Sequence, residues 1–490
     1  MSRAIPLLVA IPLLGAAVNL LLVRHRAVQR VVAVGCTTAG LGLAVALLVH
    51  VEREGTAAVA RIGGWGTSIG ITYVVDRLAA VMLVVGFATL LVVLVFAVGQ
   101  RAADEATPYY HPAYLVLSAG VAAAFCAGDL FHLFVAFEVL LMASYVLLTL
   151  QGRPGQIRSG TTYVIINTVE SMVLLAGVGL VYAATGTLSM ADLPEALAAL
   201  DPGVRTGLHV LLLVAFGLKA AVFPLFFWLP DAYPTAPSPV TAVFAGLLTK
   251  IGVYCLVRTQ TLLFPGELDG VLLWVAGLTM VVGVLGAIAQ ADIKRILSFH
   301  IVSQIGYMVM GLAIGGPAAI AATVFFVIHQ IPIKTSLFLV EGVVEHSEGT
   351  GTLDRIGGLA RRSGPLALCF ALPALSLAGL PPFSGFVGKL GLVSAGMDAG
   401  QYAVTGVALV VSILTLVSMT KIWLGAFWGE AREGPSGILG RNRTMAGATI
   451  ALVAGGLALA LAAGPIYRFC DRTADDLTTP DRYAEQVADR

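Results

Sequence analysis

The chain is 490 residues long, 58% hydrophobic and 12% charged, with a mean hydropathy of +0.91, well outside the balance of a soluble globular protein. A net charge of +1 gives no basic excess for a polyanion, which sets nucleic-acid binding aside. Five scattered cysteines, with no CxxC spacing and no His/Cys cluster, point to neither a disulfide framework nor a metal centre, and no cofactor is expected.

A helix needs about 20 apolar residues to cross the hydrocarbon core. Fourteen such segments are predicted, near 4–23, 31–50, 74–99, 112–127, 130–150, 161–184, 206–229, 239–260, 270–290, 298–315, 318–344, 365–393, 402–428 and 444–466. The first is bracketed by Arg3 and Arg24 without a cleavage site, so it reads as a retained helix. Connections are short, the longest being 51–73, 185–205, 345–364 and a polar tail from Asp471. The expectation is one all-α polytopic membrane domain. Basic residues concentrate in the odd-numbered connections, among them Arg24, Arg101, Arg153, Lys294, Arg361 and Arg432, while the even ones hold only Arg53, Arg61, Arg205 and Arg258. That bias predicts odd connections in the cytoplasm and both termini outside a cell membrane.

Charged groups at bilayer depth cost roughly 2.5–3.5 kcal/mol each on insertion scales, yet several are present. Asp76 and Arg77 stand at the entry to the third segment and are expected to be interfacial or paired. Glu138 lies nine residues after Asp129, about 14 Å into its helix. A structural ion pair and a proton or cation site are both open for it. Glu170 is buried by its pattern and has no evident partner. Lys219 precedes Pro224, which cannot donate to the carbonyl of Ala220, so the helix should open beside the lysine. Lys250 falls in the middle of its span, too deep to reach a surface easily. In HQIPIKTSLFL, Pro332 is expected to free the Ile328 carbonyl between His329 and Lys334. Five residues is about 140° on a regular helix, so those two share a face only if the proline bends it. His329 reads equally as a proton relay or as a satisfied packing residue. LAGLPPFSGFVGK repeats the pattern of the seventh segment, with Pro381 and Pro382 freeing two carbonyls and Lys389 following. Broken helices bearing ionisable groups, in two separated parts of one chain, point to a transport site. Lys421 lies within snorkelling reach of the cytoplasmic face; Glu341, near a helix exit, is expected to be interfacial or paired with neighbours, and His209 and His300, near helix ends, to be interfacial.

The runs LPDAYPTAPSPVTAVFAGLLTK (Leu229 to Lys250), KRILSFHIVSQIGYM (Lys294 to Met308), HQIPIKTSLFL and LAGLPPFSGFVGK resemble the antiporter-like subunits shared by respiratory complex I and the Mrp-type cation/proton antiporters. The resemblance covers nearly the whole chain. It implies fourteen helices with two inverted five-helix repeats, near 112–260 and 270–428, and breaks in the seventh and twelfth helices. By the same resemblance Glu138 and Lys219 form the ion pair of one half-channel, Lys250 is the central relay, Lys334 with His329 links the halves, and Lys389 is the terminal group. Glu170 and Lys421 match no motif and remain possible accessories.

Relatives with a lateral helix extend well beyond the fourteenth span, and those with glutamate on the twelfth helix are disfavoured by Lys389. The Tyr233 to Tyr254 run and the opening GGWGTSIGITYVVDRLAAVM (Gly63 to Met82) are most similar to the antiporter branch. The implied function is proton translocation coupled to Na⁺ extrusion, by a transporter subunit with other membrane subunits, lipid, protons and Na⁺ as partners. The alternative is a proton-pumping subunit of a redox complex, such as NADH–quinone oxidoreductase or a membrane hydrogenase. No oxygen-rich cage for Na⁺ is visible in the sequence.

Overall fold

The computed structural model describes residues 1–64, 70–430 and 437–488, so positions 65–69 of the Gly63 to Met82 run, and Arg432, lie outside the described residues. The protein is an all-α, multi-pass membrane protein. Among the described residues twelve helices are long and apolar enough to span a bilayer, from Ser2–Leu21 to Arg443–Leu461. Two shorter apolar helices, Tyr110–Cys126 and Gly364–Ala378, fall on the fourth and twelfth predicted segments. Helix starts are fixed by local chemistry. Asp76, Asp129, Asp292 and Asn442 each accept a backbone N–H of the first turn of the helix they precede, at 2.9, 2.6, 3.1 and 3.1 Å, satisfying donors that no helical carbonyl can reach.

The connections sort onto two faces. On one, Arg30 bonds Asp104 and Asp292 bridges to Thr352. On the other, a hairpin pairs Ala58–Arg61 with Thr72–Val75, Ala58 opposite Val75, and Thr72 accepts the Gly128 N–H at 2.9 Å. This is the odd–even division that the basic residues follow.

The tail from Asp471 is ordered, because its polarity is one-sided. Ala463–Leu477 and Pro480–Ala488 are helices that fold back on the hairpin, where the Gln486 side chain accepts Ala57 N–H at 2.8 Å and Val487 carbonyl accepts Arg61 at 2.9 Å. Arg77 is paired, with Glu52 at 3.1 Å and with Asp476.

Three helices form the buried centre: Ser238–Leu263, Ile293–Ile314 and Gly316–Glu348. Their apolar residues face other helices rather than lipid, so any ionisable group they carry is held inside protein. Those groups include Lys250, His300 and Lys334.

Candidate functional site

The Pro202–Ala220 helix ends where Pro224 requires, with Ala221 left-handed at φ 61°. Lys219 sits in its last turn and is 2% exposed. Lys219 Nζ lies 3.6 Å from Glu170 Oε2 and 3.5 Å from Asn167 Oδ1, and 5.4 Å from the Phe137 ring centroid. The opened turn also gives up the Leu218 carbonyl, which accepts the Trp228 indole N–H at 3.2 Å.

The expected Glu138–Lys219 pair is not the close one. Glu138 is half-buried and accepts the Ser171 hydroxyl, whereas Glu170 is 1% exposed and turned to the lysine. The reason is helical phase. Tyr163, Asn167, Glu170 and Leu174 are buried at spacings of four, three and four residues on the Pro154–Thr185 helix, a stripe aimed at the break. That polar stripe was the sequence signal for the partner of Glu170.

Next to it, the Ser238–Leu263 span is interrupted by a π turn at Phe244–Leu248, a distortion that gathers at functional sites. Lys250 follows and donates to Ala245 carbonyl at 2.8 Å. A Cβ on Gly252 would lie 2.5 Å from Ala220 N, so the Lys250 helix rests on the backbone of the Lys219 break.

Lys334 is wholly buried, and its amine has no hydrogen-bond partner among the described residues. A Cβ on Gly246 would meet Thr335 Oγ1, so the Lys334 helix packs against the π turn that precedes Lys250. Pro332 does not break its helix: Gly316–Glu348 is continuous through it. Every residue from Ala319 to Val344 is buried, and that packing lets the span tolerate the missing N–H. His329 and Lys334 therefore keep their regular phase difference. His329 Nδ1 meets Ser384 Oγ at 2.8 Å.

Ser384 opens the second half of the other broken helix, Gly364–Ala378 and Ser384–Asp398. Pro381 and Pro382 lie in the gap, and the carbonyl of Ala378 accepts Lys389 Nζ at 3.2 Å and Ser412 Oγ at 2.7 Å. Lys389 also reaches Ser412 at 3.0 Å and lies over the Tyr307 ring at 4.8 Å. Both breaks thus place a lysine beside freed backbone.

His300 and His209 are not interfacial. Both are wholly buried, His300 against Ser418 at 2.9 Å and His209 against Gln260 at 2.9 Å, stacked on Phe264. Their positions near helix ends gave no warning, since neighbouring helices cover those ends. Glu341 is likewise buried, at 2% exposure. Toward the hairpin face, Lys250, Tyr254 and Arg258 stand at four-residue spacing on one helix, Arg258 pairing with Asp76 at 2.5 Å. Burial opposes ionisation of Asp76, but the Arg258 charge and hydrogen bond outweigh it and hold the carboxyl below its ordinary range.

Lys421 is apart from this line. Its amine donates to the carbonyls of Ile288 and Gln290 at 2.8 and 2.6 Å, capping the end of the Asp269–Ala289 helix. Lys421→Ala should leave transport near wild type and cost about 0.3–1 kcal/mol of stability, read by thermal unfolding of the purified assembly. A transport loss in a normally assembled variant would put Lys421 on the path.

Residues 127–415 match the family described as NADH:quinone oxidoreductase/Mrp antiporter, TM. A Na⁺/H⁺ antiporter subunit from Alkalihalophilus pseudofirmus is 40% identical, covering 99% of both chains. Its namesake from Bacillus subtilis is 34% identical, again over 99% of both. Among solved structures, a chain of the Mrp complex from Dietzia sp. DQ12-45-1b superposes with a TM-score of 0.93 at 35% identity, covering 99% of each chain. With a family match over more than half its length and full-length relatives at this identity, the chain belongs to the NADH:quinone oxidoreductase/Mrp antiporter membrane family.

Proposed function

We propose that this chain is a proton-translocating subunit of a multisubunit Na⁺/H⁺ antiporter, a transporter component rather than an enzyme, with other membrane subunits as its partners. The observation that carries this is the set of four buried lysines, Lys219 and Lys389 at the two helix breaks and Lys250 and Lys334 on the central spans. The antiporter names of the full-length relatives favour it over a redox complex. Glu170 and Lys219 act as the switching pair. Closed, the carboxylate holds the proton on the amine; open, the amine releases it toward Lys250. Separating a buried pair costs about 3–5 kcal/mol, enough to couple the step to cation movement elsewhere in the assembly. Protons then pass by Lys334, with His329 and Ser384, to Lys389. Glu138, half-buried and bonded to Ser171, the residue after Glu170, is a second carboxylate of the proton path beside this pair.

The two breaks, each with its lysine, support two repeats near 112–260 and 270–428 within fourteen crossings. The basic bias supports a plasma-membrane orientation with odd connections in the cytoplasm and both termini outside.

The test is reconstitution. The complete assembly should drive protons from an imposed Na⁺ gradient, and this chain alone should not, since hard cations need several oxygen ligands at once. Robust Na⁺-driven proton movement by the isolated chain, lost in Lys219→Ala, would give one subunit both routes. Failure of the complete assembly to exchange the two ions would overturn the proposal.

Lys389 needs a group that takes and yields a proton more than it needs a fixed sign. Lys389→Glu should therefore retain more exchange in membrane vesicles than Lys389→Ala. Equal loss in both variants would establish a requirement for positive charge instead.

A further inference from the structure

We infer that Glu341, with Lys294 and Glu345, forms a proton port that connects the aqueous face of the odd-numbered connections to Lys334. This rests on the reading that the chain carries protons, and it adds an entry route and residues that reading does not use.

A polar cavity of about 300 Å³ opens on that face, lined among others by Gln100, Thr235, Ser238, Lys294 and Glu345. In its lining Lys294 Nζ bonds Glu345 Oε2 at 2.6 Å, and Ser238 donates to the same oxygen at 2.5 Å. That arrangement is complete as a structural ion pair. Glu341 is the surplus. It is 2% exposed, its Oε2 has no hydrogen-bond partner among the described residues, and the lysine stands 3.9 Å away. Two cations, Lys294 and the cavity-lining Arg153, face three carboxylates, Glu341, Glu345 and Asp292, which leaves a negative charge or a protonated carboxyl. Burying such a group without a partner is costly, and it is the chemistry of a group that takes up and passes on protons.

The direction of transfer follows from the helix. Lys334, Glu341 and Glu345 are seven and four residues apart on the continuous Gly316–Glu348 helix, so they fall within about 40° of one another around its axis. Glu341 lies two turns, about 10 Å, from Lys334 along that face. Gln100 stands beside it, donating to Gly342 carbonyl at 3.4 Å with its own carbonyl oxygen unpartnered. A hard cation is a poor occupant, because the Lys294 ammonium already holds the position between the carboxylates. The ligand is the proton.

The experiment uses everted membrane vesicles carrying the complete antiporter assembly, with Na⁺-dependent pH change as readout. Glu341→Gln should lose exchange while the assembly forms, and Glu341→Asp should restore most of it. In a separate arm, Thr235→Cys at the cavity mouth should be labelled by a membrane-impermeant thiol reagent from the face of the odd-numbered connections, and labelling should block exchange. Near wild-type exchange in assembled Glu341→Gln, alongside an inactive Lys219→Ala, overturns the port and leaves the proton-subunit reading standing. Full exchange in both variants would remove that reading as well. If Glu341→Gln does not assemble, the thiol arm decides, and labelling without inhibition overturns the port.

Discussion

Lys219→Ala and Glu170→Ala are each expected to reduce Na⁺/H⁺ exchange to background in membrane vesicles while the assembly still forms. Both side chains are at most 2% exposed and 3.6 Å apart. Removing one leaves the other as an uncompensated charge at bilayer depth, a penalty of about 3–5 kcal/mol, or roughly two to four orders of magnitude in the population of the working state. The double variant should be no worse than either single, because the interaction is already gone after the first substitution. Glu138→Ala should impair exchange too, but a cycle of Glu138 with Lys219 should show weaker coupling than Glu170 with Lys219. Glu138 is bonded to Ser171 and is half-buried. Stronger coupling at Glu138 would return the switch to that pair, and near wild-type exchange in assembled Glu170→Ala would exclude Glu170 from it.

Gly385→Ala should be nearly as damaging, though it removes no charge. Gly385 lies one residue into the second half of the broken Gly364–Ala378/Ser384–Asp398 helix. A Cβ there would overlap the Ser376 carbonyl oxygen and crowd His329 Nε2 at 3.1 Å. Backbone cannot step aside as a flexible side chain can, so the two halves must part. The cost, about 1–3 kcal/mol or more for overpacking, falls on the Ser384–His329 contact and on Lys389 one turn further on. The expected result is loss of exchange together with a lowered thermal midpoint of the assembly. Gly406→Ala is the control, since its new methyl would meet no atom within 4 Å. Equal activity in the two variants would show that the break tolerates widening and need not be rigid.

Much of this protein was legible in its residues. Apolar runs of about twenty residues mark spans because lipid offers backbone polar groups no partner, and the twelve helices long and apolar enough to span, among the described residues, all fall on predicted segments. Proline removes a donor wherever it falls, so the breaks beside Lys219 and Lys389 were foreseeable from Pro224, Pro381 and Pro382. The same rule failed at Pro332. Whether a missing N–H opens a helix depends on how other helices pack against it, and the local sequence carries no record of those neighbours.

Pairing was decided only in three dimensions. Sequence placed Glu138, Glu170 and Lys219 in membrane helices but left their mutual rotation open. About one hundred degrees per residue on the Pro154–Thr185 helix turned Glu170 toward the amine, while Glu138 on its own helix faces Ser171. The burial of His300 and Glu341 came from helices more than about twenty residues away in sequence covering them, as did the folding of the Asp471 tail onto the hairpin. How far along its span an ionisable residue stands can be read from its own segment, but not whether other helices bury it. Its partner is set by the phase and contact of separate helices, and that is fixed only when they pack.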